Sequence, residues 1–154
     1  MTQTVKIVVA QLNLKVGDIE GNTELVIRSA NEALESHGAT MIAFPELTLT
    51  GYPPEDLLLR PSLELRINSA LDRIKTAALP LVCVIGFPEK IGEQLYNSLV
   101  VIDHGSELGR YRKQCLPNYQ VFDEHRYFDA GHEACVLELF GRKVAFTICE
   151  DMWE

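Results

Sequence analysis

Thr4 to Gln11 runs Thr-Val-Lys-Ile-Val-Val-Ala-Gln, β-branched and mostly apolar, the pattern of a central buried strand. After a loop from Asn13 to Asn22, apolar positions recur at Val26, Ala30, Ala33 and Leu34, with His37 on the same stripe. That spacing predicts a helix, with Asn22 as N-cap and Gly38 as stop. Met41 to Phe44 is a short apolar strand ended by Pro45. Glu46 to Pro61 carries Gly51, Pro53, Pro54 and Pro61 and predicts a long irregular loop, a kind of segment that is often functional.

A second helix opens at Ser62. Leu63, Ile67, Ala70, Leu71, Ile74, Ala77 and Ala78 form its apolar stripe, and Pro80 closes it. Leu81 to Phe87 is another buried strand. Tyr96 to Ile102 and Leu108 to Lys113 flank Asp103-His104-Gly105-Ser106 and predict a hairpin. Gln114 to Gly131 is a second long loop, dense in charge and aromatics. Ala134 to Phe140 and Lys143 to Cys149 predict a tight hairpin around Gly141-Arg142. Strands and helices alternate first and hairpins follow, which predicts an α/β chain with a mixed sheet.

At 154 residues the chain has the length of one domain, and its 47% hydrophobic and 23% charged composition is that of an ordinary globular protein. The net charge of -8 argues against nucleic acid and against an acidic membrane surface. No apolar run reaches the ~18 residues of a membrane span. Met1 to Lys6 has neither a basic region nor a cleavage site, so a cytoplasmic location is expected. The four cysteines (Cys83, Cys115, Cys135, Cys149) are widely and irregularly spaced and are expected to be reduced thiols.

Three chemically capable side chains sit at strand ends, where α/β sheets bring distant sequence together. Cys149 ends the run Val144 to Ile148 and is followed by Glu150 and Asp151, acids typical of a first helical turn. Such a thiol is either a displayed nucleophile or an inert buried cysteine; it is a nucleophile as a thiolate, which needs a positive field or a base. None of His37, His104, His125 and His132 sits at a strand end in an apolar context, so the alternative base is a carboxylate. Glu46, behind an apolar strand and a proline, is the best placed, and burial suits a carboxylate to that work. Lys113 would then hold an oxyanion. The spacing of His125, His132 and Cys135 matches no usual zinc arrangement, and no phosphate-binding glycine loop is present. No metal site is expected.

These words together resemble the nitrilase (carbon–nitrogen hydrolase) superfamily: Phe44-Pro45-Glu46-Leu47 with Thr50-Gly51-Tyr52, then Gly109 to Lys113, then Ile148-Cys149-Glu150-Asp151 with Trp153. The longer words Gly51 to Leu58 and Leu116 to Phe128 are similar to the glutaminase domains of bacterial glutamine-dependent NAD(+) synthetases. The resemblance implies an αββα sandwich and a Glu46–Lys113–Cys149 triad that hydrolyses the amide of L-glutamine through a Cys149 thioester. It implies that Glu124 supports Lys113 and the substrate amide, and that Tyr119 lines the route of glutamine or ammonia. It further implies a single carbon–nitrogen hydrolase domain over 1–154 that stops about midway, lacking the segment after Cys149 that would lower its pKa. ATP, Mg and deamido-NAD(+) would be bound by a synthetase domain outside this chain, so no cofactor is expected here. Little or no turnover is expected of the 154 residues alone. A homo-oligomer and an exposed apolar sheet face are expected as well. The alternative is part of a stand-alone nitrilase-type amidase or carbamoylase.

Overall fold

The computed structural model describes residues 4–153; Met1 to Gln3, read above against a signal peptide, and the terminal Glu154 lie outside the described residues. Five strands form one mixed sheet in the order β1 (Ile7–Val9), β2 (Met41–Ala43), β3 (Val82–Ile91), β4 (Gln94–Asp103), β5 (Ser106–Arg112). β1, β2 and β3 run parallel; β4 and β5 continue antiparallel. Helices α1 (Ile19–His37) and α2 (Leu63–Thr76) lie on one face. The hairpin of β6 (Cys135–Leu139) and β7 (Arg142–Phe146) covers part of the other.

The central strands explain the layering. On β3, Cys83, Ile85 and Phe87 pack toward the helices, while Val82 and Val84 pack toward the hairpin. On β4, Val100 and Ile102 face the helices, and Leu99 and Val101 the hairpin. A strand covered on both faces has no polar side, so it appears in sequence as a continuous apolar run. Cys135, Leu139, Phe146 and Ile148 supply the hairpin's contribution to that second core. The helix stripes are buried at Val26, Ala30 and Ala33 and at Leu63, Ile67, Ala70, Leu71 and Ile74, and the Arg66–Glu20 and Arg73–Glu24 pairs join the two helices at the surface.

Several expectations are corrected. β1 is three residues long and stands at the sheet's edge among the described residues, with Ile7 58% and Val9 77% exposed. The same two residues extend the hairpin-side face beyond the hairpin's cover, since their parallel neighbours are Met41 and Ala43. α1 begins earlier than read, and its N-cap is Asp18, whose carboxylate accepts from Gly21 N at 3.1 Å. Asn22 is instead buried, and its amide ties Lys15 and the Leu49 carbonyl together. β3 and β4 are longer than read because a tight turn at Gly92, φ 60°, joins them directly. β7 stops at Phe146, so Cys149 does not end a strand but opens a one-turn 3-10 helix, Cys149–Met152.

Candidate active site

Glu46 lies three residues after β2, and the loop that carries it rests on β3. A Cβ built on Gly86 would meet Leu47 N at 2.6 Å and Pro45 O at 2.8 Å, so a side chain there would displace the loop. Gly51, φ 74°, lets the same loop cross Val16, to whose backbone an added Cβ would come within 2.9 Å. Lys113 follows the last residue of β5, and its backbone N–H donates to Asn97 O at 2.8 Å.

The Lys113 ammonium is fully buried. It donates to Glu46 Oε1 at 2.7 Å and to Glu124 Oε1 at 3.0 Å. A buried charge is tolerated when it is paired and hydrogen-bonded, and two carboxylates satisfy this one. Burial works against the ammonium, but Glu46 and Glu124 outweigh it and raise its pKa, so Lys113 stays cationic at neutral pH. Burial pushes the Glu124 carboxyl up, against the opposing pull of Lys113. Asn97, fully buried on β4, donates from its side-chain amide to Glu46 Oε1 at 2.7 Å.

Cys149 shares a cavity of about 360 Å³ with Glu46, Phe44, Val84 and Ile148. Its φ is 45°, a left-handed conformation that non-glycine residues adopt at some cost and that recurs at functional sites. Asp151 holds this elbow. Its Oδ2 accepts from Ile148 N at 3.0 Å and from the Tyr111 hydroxyl at 2.7 Å. Its Oδ1 accepts from Gln114 N at 3.0 Å and Cys115 N at 2.8 Å. One carboxylate therefore bolts the cysteine turn to the chain just after Lys113. Burial, then the nearby Glu46 carboxylate, push the Cys149 thiol up, against the pull of Lys113. A thiol in that state is protonated at neutral pH and needs a base.

All five residues singled out from sequence fall in this region. Tyr119 is half-exposed and donates to both carboxylate oxygens of Glu150, at 2.9 and 3.1 Å, beside Cys149. Glu124 also lines a second cavity of about 500 Å³ together with Tyr52, Phe122 and Tyr127. Asn97 and Asp151 are additional. Asp151 sits next but one to the cysteine and was read only as a first-turn acid. Asn97 carries one faint signal, an amide inside an otherwise apolar strand, where asparagine is disfavoured.

The carbon–nitrogen hydrolase family profile matches residues 6–154. The glutamine-dependent NAD(+) synthetase of Aquifex aeolicus is 49% identical over 147 residues, 94% of this chain and 25% of that protein. The solved structure of the glutamine-dependent NAD+ synthetase from Acinetobacter baumannii superposes with a TM-score of 0.92 at 43% identity, covering 97% of this chain and 28% of that one. An amidase from Nesterenkonia sp. gives a TM-score of 0.87 at 25% identity over 98% of this chain and 57% of its own. The chain thus spans about a quarter of the length of the curated relatives it matches. With its profile matched from β1 through the cysteine turn and its α/β layers shared with these structures, the chain belongs to the carbon–nitrogen hydrolase family.

Proposed function

We propose that this chain carries the catalytic residues of a glutamine amide hydrolase that supplies ammonia to an NAD(+) synthetase. The observation that carries the reading is the buried Lys113 ammonium held between Glu46 and Glu124, with Glu46 lining the cavity that Cys149 also lines. Glutamine, as the nitrogen donor, is suggested by the names of the relatives.

In this mechanism Glu46 takes the Cys149 proton, and Sγ forms a bond to the carboxamide carbon. The oxyanion is held by Lys113 and by the backbone N–H that follows Cys149. The C–N bond breaks as Glu46 returns the proton to nitrogen, so ammonia leaves and a γ-glutamyl thioester remains. Glu46 then deprotonates a water, which releases glutamate and restores the thiol. A Lys113 that stays cationic at neutral pH suits the oxyanion role and not that of the base, since the ammonium has no lone pair to offer. Tyr119 and Glu124 help hold the substrate. ATP, Mg and deamido-NAD(+) belong to a separate synthetase unit, in a cytoplasmic, homo-oligomeric enzyme.

The amidase likeness supports a second reading, a stand-alone hydrolase of short amides. One experiment separates the two. The chain is incubated with glutamine, and in parallel with acetamide and with a diazoketone analogue of glutamine; glutamate, ammonia and the mass of the Cys149 peptide are followed. The proposal expects a glutamine-analogue adduct on Cys149, absent in Cys149→Ala, and no matching preference for acetamide. A preference for acetamide selects the amidase reading, and an unmodified Cys149 removes both.

A further inference from the structure

Glu46 has two carboxylate oxygens, and they are not equivalent. Oε1 accepts from Lys113 Nζ at 2.7 Å and from Asn97 Nδ2 at 2.7 Å. No described residue donates to Oε2. Asn97 is also joined to Lys113 through the main chain, its carbonyl accepting from Lys113 N at 2.8 Å. Its side chain is fully buried, yet its Oδ1 has no hydrogen-bond partner among the described residues. Nothing in the packing of β4 asks for such a residue. Mid-strand asparagine is disfavoured, and an orphaned buried acceptor is a cost that an apolar or hydroxyl side chain would avoid.

We propose that Asn97 is a positioning residue of this site: with Lys113 it occupies Oε1 of Glu46, so that Oε2 is the oxygen that exchanges a proton with the Cys149 thiol. The geometry supplies the reason. An oxygen that already accepts two short charge-assisted hydrogen bonds is a weak base, because taking a proton would cost one of them. Its unengaged twin takes the proton with no such loss. The amide also fixes the plane of the carboxylate, so that one oxygen stays on Lys113 and Asn97 while its twin keeps no donor among the described residues. Lys113 divides its ammonium between Glu46 and Glu124, and Asn97 adds the second donor on Oε1. The orphaned Oδ1 follows from the same arrangement, since flipping the amide would set oxygen against the Glu46 carboxylate.

This inference rests on the reading of Glu46 as the base, and the test separates the two. The rate of Cys149 alkylation by iodoacetamide is measured across pH in the unmodified chain and in Glu46→Gln, Asn97→Leu and Asn97→Ser. Peptide mass spectrometry assigns the site, because Cys83, Cys115 and Cys135 are thiols too. The unmodified chain is expected to react at neutral pH through Glu46-assisted deprotonation. Glu46→Gln and both Asn97 variants are expected to lose about tenfold or more of that neutral-pH rate while matching the unmodified chain at high pH, where the thiolate forms unaided. The smaller Asn97→Ser removes the amide donor even if leucine prevents folding. A normal profile in the Asn97 variants, or a loss that is uniform with pH, would overturn the role of Asn97 alone. If Glu46→Gln also keeps the normal profile, Glu46 is not the base, and both readings fall.

Discussion

Nζ of Lys113 and Oε1 of Glu46 lie 2.7 Å apart although 67 positions separate the two residues in the chain. The ammonium is wholly out of water, and its second carboxylate partner, Glu124, is nearly so. Removing the cation leaves two carboxylates facing each other in a buried site. Lys113→Met keeps the side chain's approximate volume and removes its charge. It is expected to lower the free energy of unfolding by about 3–5 kcal/mol, read from urea denaturation. A loss under about 1 kcal/mol would mean that water reaches the pair and that the site is more open than its geometry indicates.

Asp151 is the second pivot. Four donors converge on its carboxylate, from Tyr111, Gln114, Cys115 and Ile148. Asp151→Ala leaves them without that partner and frees the strained Cys149 turn, at an expected cost of about 2–4 kcal/mol. Asp151→Asn keeps one accepting oxygen for the Gln114 and Cys115 N–H groups but sets an N–H donor against Ile148 N–H. It should fall between alanine and the unmodified chain in stability, and Cys149 alkylation should slow in the same order. Equal stability of the two variants would show that the clash at Ile148 N–H offsets all that the Gln114 and Cys115 contacts contribute.

Gly86 is the floor of the Glu46 loop. The atoms that an added methyl group meets are backbone, Leu47 N at 2.6 Å and Pro45 O at 2.8 Å, and they have no rotamer to escape into. Gly86→Ala is expected to cost about 1–3 kcal/mol and to shift Glu46 away from Lys113. Adduct formation at Cys149 should therefore fall by more than the stability loss explains. Wild-type labelling at Cys149 in a folded Gly86→Ala protein would argue against that coupling.

A pH effect is expected away from the site. Hydrogen bonds from Arg110 hold the Glu107 carboxyl down at about 2; burial opposes the shift, and Lys75 adds to it. A depressed carboxyl stabilises the fold above its unfolded pKa, about 4.3, and loses that contribution as the pH falls toward about 2. Glu107 joins β5 to the end of α2 through Lys75, at 2.9 Å. Glu107→Gln should be less stable than the unmodified chain by about 1–2 kcal/mol at neutral pH, allowing for solvent screening. Thermal unfolding at a series of pH values should show the two converging near the acid end. Parallel curves at all pH values would mean that the ion pair contributes nothing.

What could be read along the chain was what neighbours decide. The stripes of α1 and α2, the burial of β3, and the hairpins of β4 with β5 and of β6 with β7 all follow from period and turn chemistry. Glu46 and Lys113 were visible as charged residues just beyond apolar strands, and Cys149 by its place after Ile148. β1 misled because an apolar run reports burial without saying whether a neighbour strand stands on both sides. The Asn22 cap misled because Asp18, which caps as well, lies upstream, and the asparagine was needed to hold Lys15 and Leu49.

By itself the sequence determined the elements, their apolar faces and the three reactive side chains at element ends. The tertiary structure decided which atoms meet. Sheet order and register carry Asn97, which faces Pro88 on β3, to the Glu46 loop that lies over Gly86. The pairing of β4 with β5 then delivers Lys113 to the same point. Hydrogen-bonded registers between distant segments leave no mark on local periodicity, so the two donors on Oε1 and the four on Asp151 appear once the sheet is assembled.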